Sequence, residues 1–215
     1  MNIVVLKKTK KNYSNNNLPL FGISDHIFKT FDDRPNLLTK REVRVQILAD
    51  LELPKNGVIW DIGAGCGAIG LEAVKLRPDL DLFCFDKRIG SKALILENSK
   101  RLSVKPKFIF EEDINNTLNT RNLSSFEKPN RLIIGGCDKK TKLQIIKKLA
   151  SDMNIGDIIV IPIIEIQTIK ELKVELEDKS FETNLNLIQT YKSLSIAEGI
   201  RLDPNNPVFL LKGKK

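Results

Sequence analysis

A chain of 215 residues, 41% apolar and 29% charged, falls in the size range of one α/β domain (about 100 to 200 residues), so neither intrinsic disorder nor dependence on disulfides is expected. The formal net charge of +8 is carried largely by Lys7, Lys8, Lys10, Lys11, Lys212, Lys214 and Lys215 in acid-free ends, which argues for solvated termini and against a nucleic-acid-binding face. Scattered Cys66, Cys84 and Cys137 with a single histidine, His26, argue against a metal site and fit buried thiols in a reducing cytoplasm, and no apolar run reaches the ~18 residues of a membrane span.

Residues 1–17, rich in Lys and Asn, read as a polar leader, and 18–215 as one folded domain. A short helix is expected over 24–31, then a turn cluster at Asp32-Asp33-Arg34-Pro35-Asn36. Thr39-Lys40-Arg41-Glu42 has capping-box spacing ahead of Val43, Ile47, Leu48 and Leu51, so a helix is expected over 39–51. Strands follow at 58–62, 81–86, 107–111, 131–134 and 158–163, with helices at 67–76, 91–102, 139–152 and 166–178. The alternation implies a mostly parallel sheet covered on both faces. Residues 185–193 and 208–212 read as two last strands, separated by a loop holding Gly199, Pro204 and Pro207.

The chemistry-bearing stretch is Asp61-Ile62-Gly63-Ala64-Gly65-Cys66-Gly67-Ala68-Ile69-Gly70, between a strand and a helix. Its glycines allow a sharp turn and let a ligand reach bare backbone at a helix N-terminus, as nucleotide-like ligands require. Read from Gly65, the same stretch satisfies the dinucleotide pattern G-x-G-x-x-G. Asp61 weighs against that reading: an acid at the strand end repels a pyrophosphate and favours the ammonium and sulfonium of S-adenosyl-L-methionine. Asp86, ending the next strand, is placed to accept from both ribose hydroxyls, and Asp113 lies at the same edge after the third strand.

Together these residues resemble the class I S-adenosylmethionine-dependent methyltransferases, with an acid and Gly-x-Gly-x-Gly after strand one, an acid ending strand two and another after strand three. The resemblance implies a Rossmann-like α/β fold, a seven-stranded and mostly parallel sheet with helices on both faces and an antiparallel last strand. It also implies that Gly63, Ala64, Gly65, Cys66 and Gly67 pack against the methionine part, that Asp86 holds the ribose, and that Asp113 with the Ile114 backbone meets the adenine. After the fourth strand the chain reads Ile133-Ile134-Gly135-Gly136-Cys137-Asp138, without the Asn/Asp-Pro-Pro-aromatic run usual in enzymes that methylate nitrogens of bases.

A narrower similarity rests on Gly22-Ile23-Ser24-Asp25 then Phe28, Leu38-Thr39-Lys40-Arg41-Glu42-Val43-Arg44, Trp60 to Gly65, Ile134-Gly135-Gly136 and Asn206-Pro207-Val208-Phe209. These look like the decarboxylating precorrin C15-methyltransferases of cobalamin biosynthesis. Cys66 and Ala68-Ile69-Gly70 depart from that pattern, and the leader has no counterpart in it. The similarity implies methylation of a tetrapyrrole at C15 with loss of CO2 from the ring C acetate, Thr39 near the cofactor, no metal, and association into tetramers. Lys40, Arg41, Arg44 and Arg201 are candidates for pairing with the acidic side arms, with Gly135 and Gly136 at the substrate, and His26 and Asp25 are the candidates for acid–base chemistry. The readings that compete are a methyltransferase acting on tRNA or protein, an NAD-type oxidoreductase, and a non-catalytic cofactor-binding subunit.

Overall fold

The computed structural model describes residues 18–120 and 126–215; the expected leader lies outside them. Five parallel strands are laid down first: β1 (Gly57–Ile62), β2 (Leu80–Asp86), β3 (Phe108–Glu111), β4 (Arg131–Ile134) and β5 (Ile158–Ile163). They pair in the order β3-β2-β1-β4-β5, and β9 (Val208–Lys214) enters antiparallel between β5 and β6 (Glu182–Ile188) to complete seven strands. The expected mostly parallel sheet with an antiparallel last strand is what the chain forms.

Period-two alternation sorts the strand residues to two faces. Ile59, Leu82, Cys84, Ile133 and Val160 pack beneath α1 (Arg41–Asp50), α2 (Ala68–Leu76) and α3 (Ser91–Leu102). Trp60, Phe83, Phe85, Leu132 and Ile159 face α4 (Ile114–Thr120), α5 (Lys139–Leu149) and α6 (Ile169–Glu177). All three cysteines are free; Cys66 and Cys84 are buried and Cys137 is half-buried. No helix among the described residues is long and apolar enough to cross a membrane.

Several expectations are corrected. The capping box does not form: α1 starts at Arg41 with Lys40 as N-cap and no side-chain cap, so the Thr39 hydroxyl lies one residue too early to reach the helix amides. The 24–31 helix shrinks to one 3-10 turn at Asp25–Ile27. Helix α4 was not expected. Its two apolar anchors, Ile114 and Leu118, are hidden among Asn and Thr, and the Asp113 carboxylate caps it by accepting from the Asn115 N–H at 2.9 Å. The single strand expected at 185–193 is two, because the chain leaves the sheet after Ile188 and forms a hairpin, β7 (Tyr191–Ile196) with β8 (Gly199–Pro204), where a loop was expected. The C-terminal lysines are not a solvated tail: Lys212 and Lys214 lie on β9 and pair with Glu52 at 2.6 and 2.7 Å.

Candidate active site

Ligands of open α/β sheets bind outside the carboxyl ends of the strands, where the strand order reverses. Here that point lies between β1 and β4, and a cavity of about 740 Å3 opens there, adjoined by a recess of about 40 Å3. Gly63, Gly136, Cys137 and Asp138 belong to the walls of both.

The partition is made of two backbone turns pressed together. Gly63 has φ +71°, and a β-carbon there would lie 2.6 Å from the Gly136 nitrogen, so only glycine fits both the conformation and the space. The Gly135 N–H donates to the Ile62 carbonyl at 2.7 Å and ties the β4–α5 turn to the end of β1. Thr39, Lys40, Ala64, Gly65, Cys66 and Gly135 line the large cavity, whereas Asp86, Asp113 and Ile114 line the recess. Two of the sequence-identified loop residues turn inward instead. Gly67, with φ +78°, starts α2 against Ile95, whose side chain is 3.1 Å from where a β-carbon would sit. Gly70 lets α2 pack on Leu82, so the third glycine of the dinucleotide-like pattern serves helix packing.

The three acids play three roles. Asp61 lies on the Ile59 face of β1, 1% exposed beneath α2, and accepts from the Gly70 N–H at 3.0 Å. It therefore satisfies an amide of the helix's first turn from behind the loop, a correction to the expectation that it faces the ligand. Burial pushes its carboxyl up to about 7, against the lowering effect of the Gly70 bond. Asp86 is half-buried at the recess, its Oδ2 accepting from the Gly65 N–H at 2.7 Å and its Oδ1 from the Arg88 N–H at 2.8 Å. Asp113 stands across the recess, 3.9 Å from the Lys87 ammonium.

The basic candidates divide as sharply. Arg44, fully buried, donates to Glu72 at 3.0 Å, to Asp25 at 2.7 Å and to the carbonyls of Thr39 and Ile23, and stacks over Phe28 at 4.7 Å. Four of its five N–H donors are spent on the fold and none of the side chain reaches solvent, which corrects its assignment to substrate and also ties up one Asp25 oxygen. Arg41 donates to the Gly22 carbonyl at 2.6 Å and fastens the N-terminal segment. Arg201 lies on β8 with its side chain exposed, 3.7 Å from Asp203, and exposed His26 follows Asp25 in its 3-10 turn; neither is in the cavity wall. Of the expected cations Lys40 alone lines the cavity. Sequence reading missed Lys142, Glu165 and Asn205 in the same wall. Glu165 carried a signal in its place just beyond β5; Lys142 carried none, being one of many lysines on α5. No cluster of metal-ligating side chains occurs among the described residues.

Comparison with known proteins fits this geometry. A family model described as a precorrin methyltransferase domain matches residues 30–215. A probable cobalt-precorrin-6B C(15)-methyltransferase (decarboxylating) of Saccharolobus solfataricus is 29% identical, over 90% of this chain and 96% of its own. Its namesake from Pyrobaculum aerophilum is 27% identical, over 88% and 94%. Among solved structures, the precorrin-6y C5,15-methyltransferase of Geobacter metallireducens superposes with a TM-score of 0.79 at 26% identity, covering 93% of this chain and all of that one. A tRNA (m1A58) methyltransferase from Aquifex aeolicus, with a TM-score of 0.63 at 14% identity, shares the fold. The family match spans both glycine turns, the acids of the recess and every strand of the sheet, and the chain belongs to the precorrin methyltransferase family.

Proposed function

We propose that this protein transfers a methyl group from S-adenosyl-L-methionine to C15 of a precorrin-6B-type tetrapyrrole and promotes loss of CO2 from the ring C (C12) acetate, as a cytoplasmic enzyme of corrin-ring synthesis. The observation that carries the reading is the partition of Gly63 and Gly136, which sets a narrow acid-lined recess against a cavity of small-molecule size. The residues suit the cofactor. Asp86 already holds the glycine loop and the turn after β2, and its carboxylate keeps lone pairs for ribose hydroxyls. Asp113 and Ile114 flank the position expected for the adenine, and Gly63, Ala64 and Gly65 offer bare backbone to the methionine part.

S-adenosylmethionine, when bound, supplies an electrophilic methyl carbon, so the chain needs alignment more than a nucleophilic side chain. Cys66 and Cys137 line the cavity, and burial pushes both thiols up to about 11. Thiolate is the reactive form, so these cysteines stay protonated beside an alkylating group at neutral pH. Lys40 places positive charge at the cavity for the acidic arms of the macrocycle. Loss of CO2 leaves an electron pair that the conjugated macrocycle accepts before a proton completes the C12 methyl group. The exposed apolar residues Ile196, Ile200 and Leu202 of the β7–β8 hairpin support self-association, as the similarity to tetrameric enzymes implies.

The test is incubation of the pure protein with methyl-labelled S-adenosylmethionine and cobalt-precorrin-6B or precorrin-6B, following product mass. One methyl gained with one CO2 lost is expected. Methyl gain alone removes the decarboxylation from the reading, and tight S-adenosylhomocysteine binding without turnover removes the tetrapyrrole.

A further inference from the structure

Lys142, in the first turn of α5, extends into the wall of the large cavity and donates to the Cys137 carbonyl at 2.8 Å. An ammonium has three N–H donors, so this bond leaves two. Among the described residues it has no ion-pair partner within 4.0 Å, and Asp138 and Glu165 of the same cavity attract it only from farther away. Lys139, on the same turn and also in the wall, is by contrast taken up by Glu171 at 2.8 Å. Burial disfavours the charged form of Lys142 and lowers its proton affinity below that of an ordinary lysine. A half-desolvated cation with two open donors is completed by an anion, and its tether, Cys137, belongs to the walls of both cavities.

We infer that Lys142 binds a carboxylate side arm of the tetrapyrrole, an inference that rests on the polycarboxylate substrate read above. The arm is one that the product retains. An ammonium paired with the departing carboxylate would stabilise the reactant anion over CO2 and oppose the reaction. Held on a retained arm, the pair contributes equally to ground and transition states, so its loss shows in KM rather than kcat.

Steady-state kinetics with cobalt-precorrin-6B and S-adenosylmethionine on Lys142→Met and Lys142→Arg test this, with S-adenosylhomocysteine titrations as the control for folding. Lys142→Met is expected to raise KM for the tetrapyrrole by about tenfold to a hundredfold, the worth of a charge-assisted hydrogen bond. Its kcat, and its affinity for S-adenosylhomocysteine, should stay within about twofold of the parent, and Lys142→Arg should recover most of the loss. An unchanged tetrapyrrole KM overturns the inference. So does a parallel loss of S-adenosylhomocysteine binding, which would make the Cys137 tether structural, or a fall in kcat alone. A parent protein that binds S-adenosylhomocysteine yet neither binds nor methylates the tetrapyrrole overturns the substrate reading, and this inference with it.

Discussion

Gly63 and Gly136 meet backbone to backbone: a β-carbon on Gly63 would lie 2.6 Å from the Gly136 nitrogen, whereas one on Gly136 would have nothing nearer than the Gly63 carbonyl oxygen at 3.7 Å. The contact is therefore asymmetric. Gly63→Ala combines a positive φ with a clash against backbone, at a cost on the order of 1–3 kcal/mol or more. Gly136→Ala should keep stability within about 0.5 kcal/mol and still place a methyl group in the wall shared by both cavities. Thermal denaturation beside S-adenosylhomocysteine calorimetry checks this; equal stability loss in both variants would refute the asymmetry.

Asp86 should be needed for the cofactor, while the fold should survive its removal with a modest loss of stability from the two freed amides. Asp86→Ala removes two accepted backbone bonds at a half-buried site, and cofactor affinity should fall about tenfold or more. An S-adenosylhomocysteine titration that returns the parent affinity would take Asp86 out of the site.

The Arg44–Glu72 pair, fully buried on both sides at 3.0 Å, makes a contrasting prediction. Arg44→Met strands the Glu72 carboxylate in the core, a loss of about 3–5 kcal/mol. The Ile23 N–H donates to the same carboxylate at 3.0 Å, so the segment around residues 22–28 should loosen with it. Urea denaturation should report the loss and proteolysis should cut near that segment; a selective rise in tetrapyrrole KM with unchanged stability would restore Arg44 to substrate binding.

Asp61 imposes a pH dependence. Its folded carboxyl titrates at about 7 instead of an ordinary 3.8, so the native state retains a proton that the unfolded chain has lost. The stability from this group is full below about pH 4 and is lost as pH rises through about 7. Asp61→Asn keeps an acceptor for the Gly70 N–H and cannot ionise, so its melting temperature should fall less between pH 5 and pH 8 than the parent's (a window of about 3 units). Parallel curves would show that Asp61 is not held protonated.

Self-association can be tested at the hairpin. Ile200 and Leu202 are 75% and 65% exposed, and Ile200→Asp with Leu202→Asp should shift the protein to a smaller species in light scattering while leaving cofactor binding intact. No shift would move the interface elsewhere.

Local rules made much of this molecule legible in one dimension. Alternating apolar runs and helical periods marked the five parallel strands and most helices, because burial on a sheet face or helix stripe is written in residue spacing. The glycine loop and Asp86 could be read because a turn at a strand end has local sequence requirements. Helix α4 escaped, since two apolar anchors among Asn and Thr make no period, and the split of the 185–193 strand escaped because leaving a sheet is decided by which neighbour is available.

The sequence by itself determined the alternation of strands and helices, the glycine turn and the acids at the carboxyl edge. Only the tertiary structure decided which charges face the ligand. Strand pleat turned Asp61 under α2, core packing spent Arg44 on Glu72 and Asp25, and the start of α5 carried Lys142 into the cavity wall. A side chain's role follows from what lies across from it, and that is set by residues distant in the chain.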